Sequence, residues 1–229
     1  GALRFPSRQF VDSPDTDADA LTDMEEEMFG TDAGAWDTDG DGYFDGREVV
    51  NLYNPGGFAP IRLIDSGLIR EYVSPVWRYR LYYPEPWEIA PVDPEGKQIL
   101  VSAPTGDYIE IHVFDTPPCT TFESWFAKAA SGEQFSDLEK FTNRFQVPGW
   151  RRRDGMVYYI PSENRLFVLL YHLGVGDTVP FRHLFEMAAQ SFRPDKTAVQ
   201  LPPQTIIPTT TETIEGVLST STDATASVF

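Results

Sequence analysis

Residues Asp37-Thr38-Asp39-Gly40-Asp41-Gly42-Tyr43-Phe44-Asp45-Gly46-Arg47-Glu48 place carboxylates at positions 1, 3, 5, 9 and 12 of a twelve-residue loop. Calcium loops are built on this spacing. A hard cation takes about six to eight oxygen ligands, so the sequence must return an oxygen to the same point every second residue. Asp37, Asp39 and Asp41 supply the first three. Tyr43 offers its backbone carbonyl, Asp45 commonly acts through a water, and Glu48 can give both oxygens. Gly42 stands at position 6, where the chain turns sharply around the ion.

The pattern occurs twice. Shifted back by 22 residues it reads Asp15, Asp17, Asp19, Leu21, Asp23, Glu26, and six of the twelve aligned positions are identical. The first copy has Ala20 at position 6, which costs steric energy if that position needs positive φ. A weaker or slightly distorted first site is therefore expected. Each loop runs on into one or two helical turns, and Gly30 is a natural helix stop. Asp32 and Asn54 fall at equivalent places and are candidates for an extra oxygen to a neighbouring ion. An acidic, solvated leader is the bland alternative, but it does not call for a register that repeats. Two Ca²⁺ sites are expected.

Charge is concentrated in the same stretch. Between Asp12 and Glu48 there are 14 acidic residues and one basic residue, giving −13 of the chain's formal −17. The remainder is near balance, with 21 acidic and 17 basic residues. Without metal these carboxylates repel one another. Ion binding and folding of the stretch are therefore expected to be one event, its shape coming from ions rather than from an apolar interior. The same field disfavours nucleic acid as a partner.

The 229 residues divide by composition into five parts: a lead-in (1–11), the tandem repeats (12–57), a connector (58–74), a periodic apolar region (75–193) and a Thr/Ser-rich tail (194–229). The connector has a short helix expected around Asp65–Arg70. In the apolar region, strands are expected at Val76–Tyr83, Gln98–Ser102, Tyr108–Phe114, Met156–Ile160 and Leu166–His172. Leu166–Leu170 is apolar throughout, which suits a central strand covered on both faces. Thr121 caps a helix reaching about Ala130, and Phe181 to about Ser191 forms a second, with Phe181, Leu184, Phe185 and Ala188 on one stripe. The fold class is α+β: a layered α/β/α sandwich with a mainly antiparallel sheet, preceded by two small calcium-binding loop repeats.

No catalytic residues are expected. His112, His172 and His183 show no metal-ligand spacing, and His112 is assigned to an outward strand face. Cys119 is the lone cysteine and carries no nucleophile signature. Arg151-Arg152-Arg153 reads as a solvated hairpin tip. The longest apolar run is far too short to span a bilayer. The first residue is Gly1, which suits a processed or trimmed chain, with any membrane anchor in a segment not present here.

Two resemblances follow from these residues. The Asp15–Asn54 pair resembles the tandem thrombospondin type-3-like calcium repeats of bacterial surface proteins, with Ala20 where Gly is usual. Residues 75–193 show Tyr83-Pro84 then Trp87, a hairpin around Thr105-Gly106-Asp107, and a helix with Trp125. The Tyr158-Tyr159-Ile160 strand, a long apolar strand and a helix ending Ser191-Phe192 follow. That order looks like the PsbP-like α/β/α sandwich family, which implies a binding or assembly role and brings no catalytic residues. Together they imply a calcium-binding extracellular or cell-surface structural or adhesion module of a bacterium, without catalysis. Its partners would be calcium and a protein or glycan at the surface, with self-assembly through the tail. Two alternatives stay open: a dockerin-like protein-recognition module, and an accessory region of a secreted enzyme.

Overall fold

Arg165–His172 pairs along its length with Tyr108–Asp115 on one side and Val157–Ser162 on the other. A strand held on both edges cannot expose its backbone, and period-two alternation sends its side chains into two different cores. Phe167, Leu169 and Tyr171 enter one cluster; Leu166, Val168 and Leu170 enter the other, and all six are buried. The apolar run therefore sits where the sequence places it. Leu170→Ala is expected to lower stability by about 2–5 kcal/mol through a cavity in the smaller core. A denaturant midpoint shift checks this.

The computed structural model describes residues 3–194 and 196–207. The strands are β1 (Val11–Asp12), β2 (Ile69–Val73), β3 (Tyr79–Pro84), β4 (Glu88–Pro91), β5 (Gln98–Ser102), β6 (Tyr108–Asp115), β7 (Leu138–Thr142), β8 (Pro148–Arg152), β9 (Val157–Ser162), β10 (Arg165–His172), β11 (Thr178–Val179) and β12 (Arg193–Pro194). The helices are α1 (Asp23–Phe29), α2 (Asp45–Asn51), α3 (Phe122–Ala129) and α4 (Arg182–Ser191). A seven-stranded antiparallel sheet runs β4-β5-β6-β10-β9-β8-β7, and a three-stranded one runs β12-β3-β2. The short β1–β11 pair is parallel. The fold is mixed α/β with mainly antiparallel sheets.

Two layers flank the large sheet. On one face, α3 packs through Trp125 and Phe126 against Val157, Tyr159 and Val168. On the other, α4 and the small sheet close a larger core through Leu184, Phe185, Ala188, Tyr79 and Leu81. Thr121 caps α3 as expected, its hydroxyl accepting from Ser124 N at 3.2 Å.

Leu21, Phe29, Val49 and Leu52, all in or beside the repeats, belong to that larger core and are 0–3% exposed. The expectation that ions alone shape this stretch is therefore corrected: each repeat also anchors itself with fully buried apolar side chains.

Other local readings change too. Around Asp65–Arg70 there is a 3-10 turn at Leu63–Asp65 and then β2, which pairs with β3. Gly67 at φ 80° breaks any helix, after which Ile69–Val73 extends. Strand β3 starts at Tyr79 rather than Val76 because Ser74–Tyr79 forms the hairpin turn, with Arg78 at φ 54°. Strands β4, β7 and β8 were not anticipated; each mixes Pro, Gly or charge into a short run that carries little periodic signal. Arg152 is no solvated tip. It is 1% exposed, paired with Glu133 at 3.1 Å and Asp154 at 2.9 Å, and donates to Pro6 O at 3.3 Å. The lead-in covers it, with Leu3 and Phe5 packed on the smaller core and Arg8 paired to Glu133 and Asp137. At the junction of the periodic region and the tail, β12 adds to the edge of β3 in the same molecule; residues 208–229 lie outside the described residues, and with them most of the stretch read for self-assembly.

Candidate metal centre

Both loops fold alike because their carboxylates first organise their own backbone. In the second, Asp37 Oδ1 accepts from Gly40 N at 2.8 Å and Oδ2 from Gly42 N at 2.8 Å. Asp39 accepts from Asp41 N at 3.0 Å, and Asp41 from Tyr43 N at 3.0 Å. The first loop repeats this: Asp15 accepts from Ala18 N at 2.7 Å and Ala20 N at 3.1 Å, Asp17 from Asp19 N at 3.2 Å, and Asp19 from Leu21 N at 2.8 Å. Successive Asx turns of this kind wrap the chain about a point. Asp15, Asp17 and Asp19 each bring an oxygen within 4.8 Å of the others, and so do Asp37, Asp39 and Asp41.

Position 9 closes each loop. Asp23 accepts from Thr16 N and Thr16 Oγ1, both at 2.9 Å, and Asp45 accepts from Thr38 N at 2.9 Å. These Thr–Asp bonds span seven residues and join the start of each loop to the helix that follows it. Glu26 and Glu48 come from those helices and are 0% and 1% exposed. Leu21 at position 7 buries its side chain completely, while Tyr43 turns its hydroxyl to Thr205 O at 2.7 Å.

The backbone answers the question raised by Ala20. It holds φ 91°, close to the 96° of Gly42, and at position 4 Ala18 holds 62° against 77° for Gly40. The first loop is not distorted; alanine is forced into the glycine conformation. That costs about 1–2 kcal/mol per residue, offset by the lower chain entropy of Ala in the unfolded state. Ala20→Gly is accordingly expected to raise stability by roughly 0.5–1 kcal/mol. Thermal unfolding of the variant checks it. Asp32 and Asn54 are otherwise engaged, closing Asx turns onto Gly34 N (3.1 Å) and Gly56 N (3.3 Å).

The charge balance of the two loops is unfavourable as they stand. Buried oxygens without a hydrogen-bond partner include Asp17 Oδ2, both oxygens of Glu26, Asp39 Oδ2, Asp45 Oδ2 and Glu48 Oε2. Six such atoms in two homologous loops is far from ordinary, because a buried polar group left unpaired costs about 1–3 kcal/mol, more if charged. Burial, then the neighbouring charges of Asp17, Asp19 and Asp45, pushes Glu26 up to about 8. Burial pushes Glu48 up to about 8 as well, against a bond from Gln204, with Asp41 and Asp39 adding repulsion. Asp19 and Asp39 rise to about 6, chiefly from burial. Carboxylates so arranged fit a cation that supplies the missing charge and fills the unsatisfied lone pairs. The aspartates at positions 1, 3 and 5 of both copies are thus brought together; the signal that located them was their spacing.

Sequence reasoning missed two further polar clusters. Glu25 is fully buried and caps two helices: it completes a capping box with Thr22 at α1, and its Oε1 accepts from His183 N (2.7 Å) and Leu184 N (2.9 Å) at α4. His183 Nδ1 reaches its Oε2 at 2.8 Å. Burial pulls His183 down, but the bond to Glu25 and its charge prevail and raise it. Second, His112 is not outward-facing in solvent. His112 Nε2 and His172 Nε2 bond the two oxygens of Glu110 at 2.6 and 2.7 Å in a cavity of about 250 Å³ also lined by Arg4 and Tyr108. Glu110 lies well below the usual carboxylate range: burial opposes ionisation, and the two imidazoles outweigh it.

No family model matches the chain, and no curated protein matches it. Among solved structures, the chain is similar to the solution structure of cyanobacterial PsbP from Synechocystis sp. PCC 6803, at 12% identity and a TM-score of 0.40, covering 56% of this chain and 93% of that one. A crystal structure from Bacteroides thetaiotaomicron matches at 11% identity and TM-score 0.37, over 56% of this chain and 48% of that one. The Saccharomyces cerevisiae Ran-binding protein Mog1p matches at 10% and 0.35, over 56% and 95%. At these scores the likeness carries neither a role nor a family membership to this chain. No helix among the described residues is long and apolar enough to cross a membrane.

Proposed function

We propose that the chain binds two Ca²⁺ ions, one in Asp15–Glu26 and one in Asp37–Glu48. As a thrombospondin type-3-like pair, the loops serve a structural or adhesive module exposed outside a bacterial cell. The carrying observation is the set of buried, unpartnered carboxylate oxygens, at equivalent places in both loops for the position-3 Asp and the position-12 Glu. Calcium is favoured over magnesium by the chemistry of the donors. Magnesium keeps its waters and prefers one or two carboxylates, whereas each loop offers five carboxylates and a carbonyl.

Extracellular modules of this kind bind at about 10⁻⁴–10⁻³ M, which suits the outside of a cell. The ions act structurally here, binding the folded loops and not a substrate. The order of strands and helices over 75–193 supports a PsbP-like layer behind the repeats that presents a binding face to a protein or glycan. Calorimetric titration of the metal-free chain is expected to show two calcium ions. Glu48→Ala should abolish most of the affinity of one site by removing the bidentate ligand. Unchanged titration of the variant, or no binding by the unaltered chain, refutes the reading.

A further inference from the structure

Among the described residues, a segment distant in sequence covers the second loop. Residues Leu201–Ile207 lie across it, far in sequence from every loop residue. Gln204 is 7% exposed, and its Nε2 donates to Glu48 Oε1 at 2.7 Å. Tyr43, at position 7 of the loop, donates its hydroxyl to Thr205 O at 2.7 Å. Tyr53, just past α2, donates to Pro202 O. A Cβ on Gly42 would stand 3.3 Å from Ile207 Cδ1, so the side chain of Ile207 rests on the turn at position 6.

Two atoms give the cover a chemical meaning. Gln204 Oε1 and Glu48 Oε2 are both buried and both lack a hydrogen-bond partner. They belong to side chains already joined through Nε2 and Oε1. An amide oxygen and a carboxylate oxygen left bare together form a donor pair for a hard cation. Glu26, the counterpart of Glu48, has both oxygens bare, with no amide bonded to it among the described residues.

We propose that Leu201–Ile207 is a strap that completes the second calcium site. Gln204 positions Glu48 for the ion and adds an amide oxygen to the donor set. Ion binding and strap docking then reinforce each other, since coupling between two events is reciprocal. The strap inference rests on the calcium reading above, and it makes the second site the tighter one.

The test uses the full chain and calcium alone. Amide hydrogen exchange is followed over residues 204–207 with calcium and with chelator, alongside calorimetry of the unaltered chain, Gln204→Ala, and Asp37→Asn as a marker of the second site. Calcium is expected to slow exchange in the strap. Gln204→Ala should weaken the site marked by Asp37→Asn by about tenfold or more, the usual effect of losing a residue that orients a ligand. The other site should keep its affinity. If two ions bind but strap exchange does not respond, or Gln204→Ala leaves both affinities unchanged, the strap is overturned and the calcium reading stands. If the unaltered chain binds no calcium, both fall.

Discussion

Addition of 10 mM calcium to the metal-free chain at pH 8 is expected to raise its unfolding free energy by about 5 kcal/mol. A site with a dissociation constant near 10⁻⁴ M gains about 2.7 kcal/mol at a hundredfold excess, and there are two. The pH dependence supplies an independent signature. Glu26 and Glu48 sit at about 8 in the metal-free fold against 4.5 in an unfolded chain, and Asp19 and Asp39 at about 6 against 3.8. Between those values the folded chain holds protons that the unfolded chain releases, so metal-free stability falls as pH rises from about 4 to 8. His183, raised by Glu25, acts in the same direction: its contribution is present at low pH and lost as pH climbs through its folded value. Glu110 acts oppositely. Its depressed value contributes stability above the unfolded carboxylate range, lost on further acidification. Metal-free protein should therefore melt higher at pH 5 than at pH 8. Calcium should reverse that order, because the ion binds the ionised carboxylates and releases their protons. Scanning calorimetry at both pH values, with chelator and with calcium, checks both signs. A metal-free melting temperature that climbs from pH 5 to 8 would contradict the charge balance described.

Glu25→Ala is expected to cost about 3–5 kcal/mol, the range for breaking a buried, hydrogen-bonded charge cluster by removing one member. One carboxylate here accepts four bonds, from Thr22 N, His183 N, His183 Nδ1 and Leu184 N. Its loss strips the reciprocal cap of α1 and leaves two buried donors at the start of α4 without a partner. Thr22 Oγ1, which donates to Pro180 O at 2.6 Å, remains but cannot replace them. Chemical denaturation should show the loss with and without calcium. Glu25→Gln should recover part of it, since the amide oxygen can still accept from backbone N–H. Equal stability of Glu25→Ala and the unaltered chain would mean that water satisfies both helix ends.

What was legible in the sequence follows from how each feature is encoded. The loops were legible because their ligands come from one contiguous stretch with an obligatory spacing. The central strand was legible because two-sided burial demands an unbroken apolar run, Leu166–Leu170. Phe181, Leu184, Phe185 and Ala188 announced α4 by period. Features encoded by contacts between distant segments were not legible. Gln204 meets Glu48 across 156 residues, and Glu25 meets His183 across 158. Arg152 looked like surface charge because nothing local reveals that residues 6 and 7 cover it. Glu110 and His112 have the alternation of a solvent-facing strand edge, and only the register that sets His172 diagonally across from Glu110 makes them a closed trio. In the connector, Gly67 at φ 80° stops the chain after the Leu63–Asp65 turn, and Ile69–Val73 extends because its partner strand Tyr79–Pro84 lies beyond the next turn.

One detail of the repeats bears on how such arrays are assembled. The fifth-position aspartate of each loop sends its second oxygen forward: Asp19 Oδ2 accepts from Gly46 N at 2.9 Å, and Asp41 Oδ2 from Ala59 N at 2.8 Å. Gly46 admits no larger residue, as a Cβ there would stand 2.6 Å from Asp19 O. Asp19 thus ties the first loop to the second and Asp41 ties the second loop to the connector, so both latches point toward the C-terminus and give the tandem a built-in polarity.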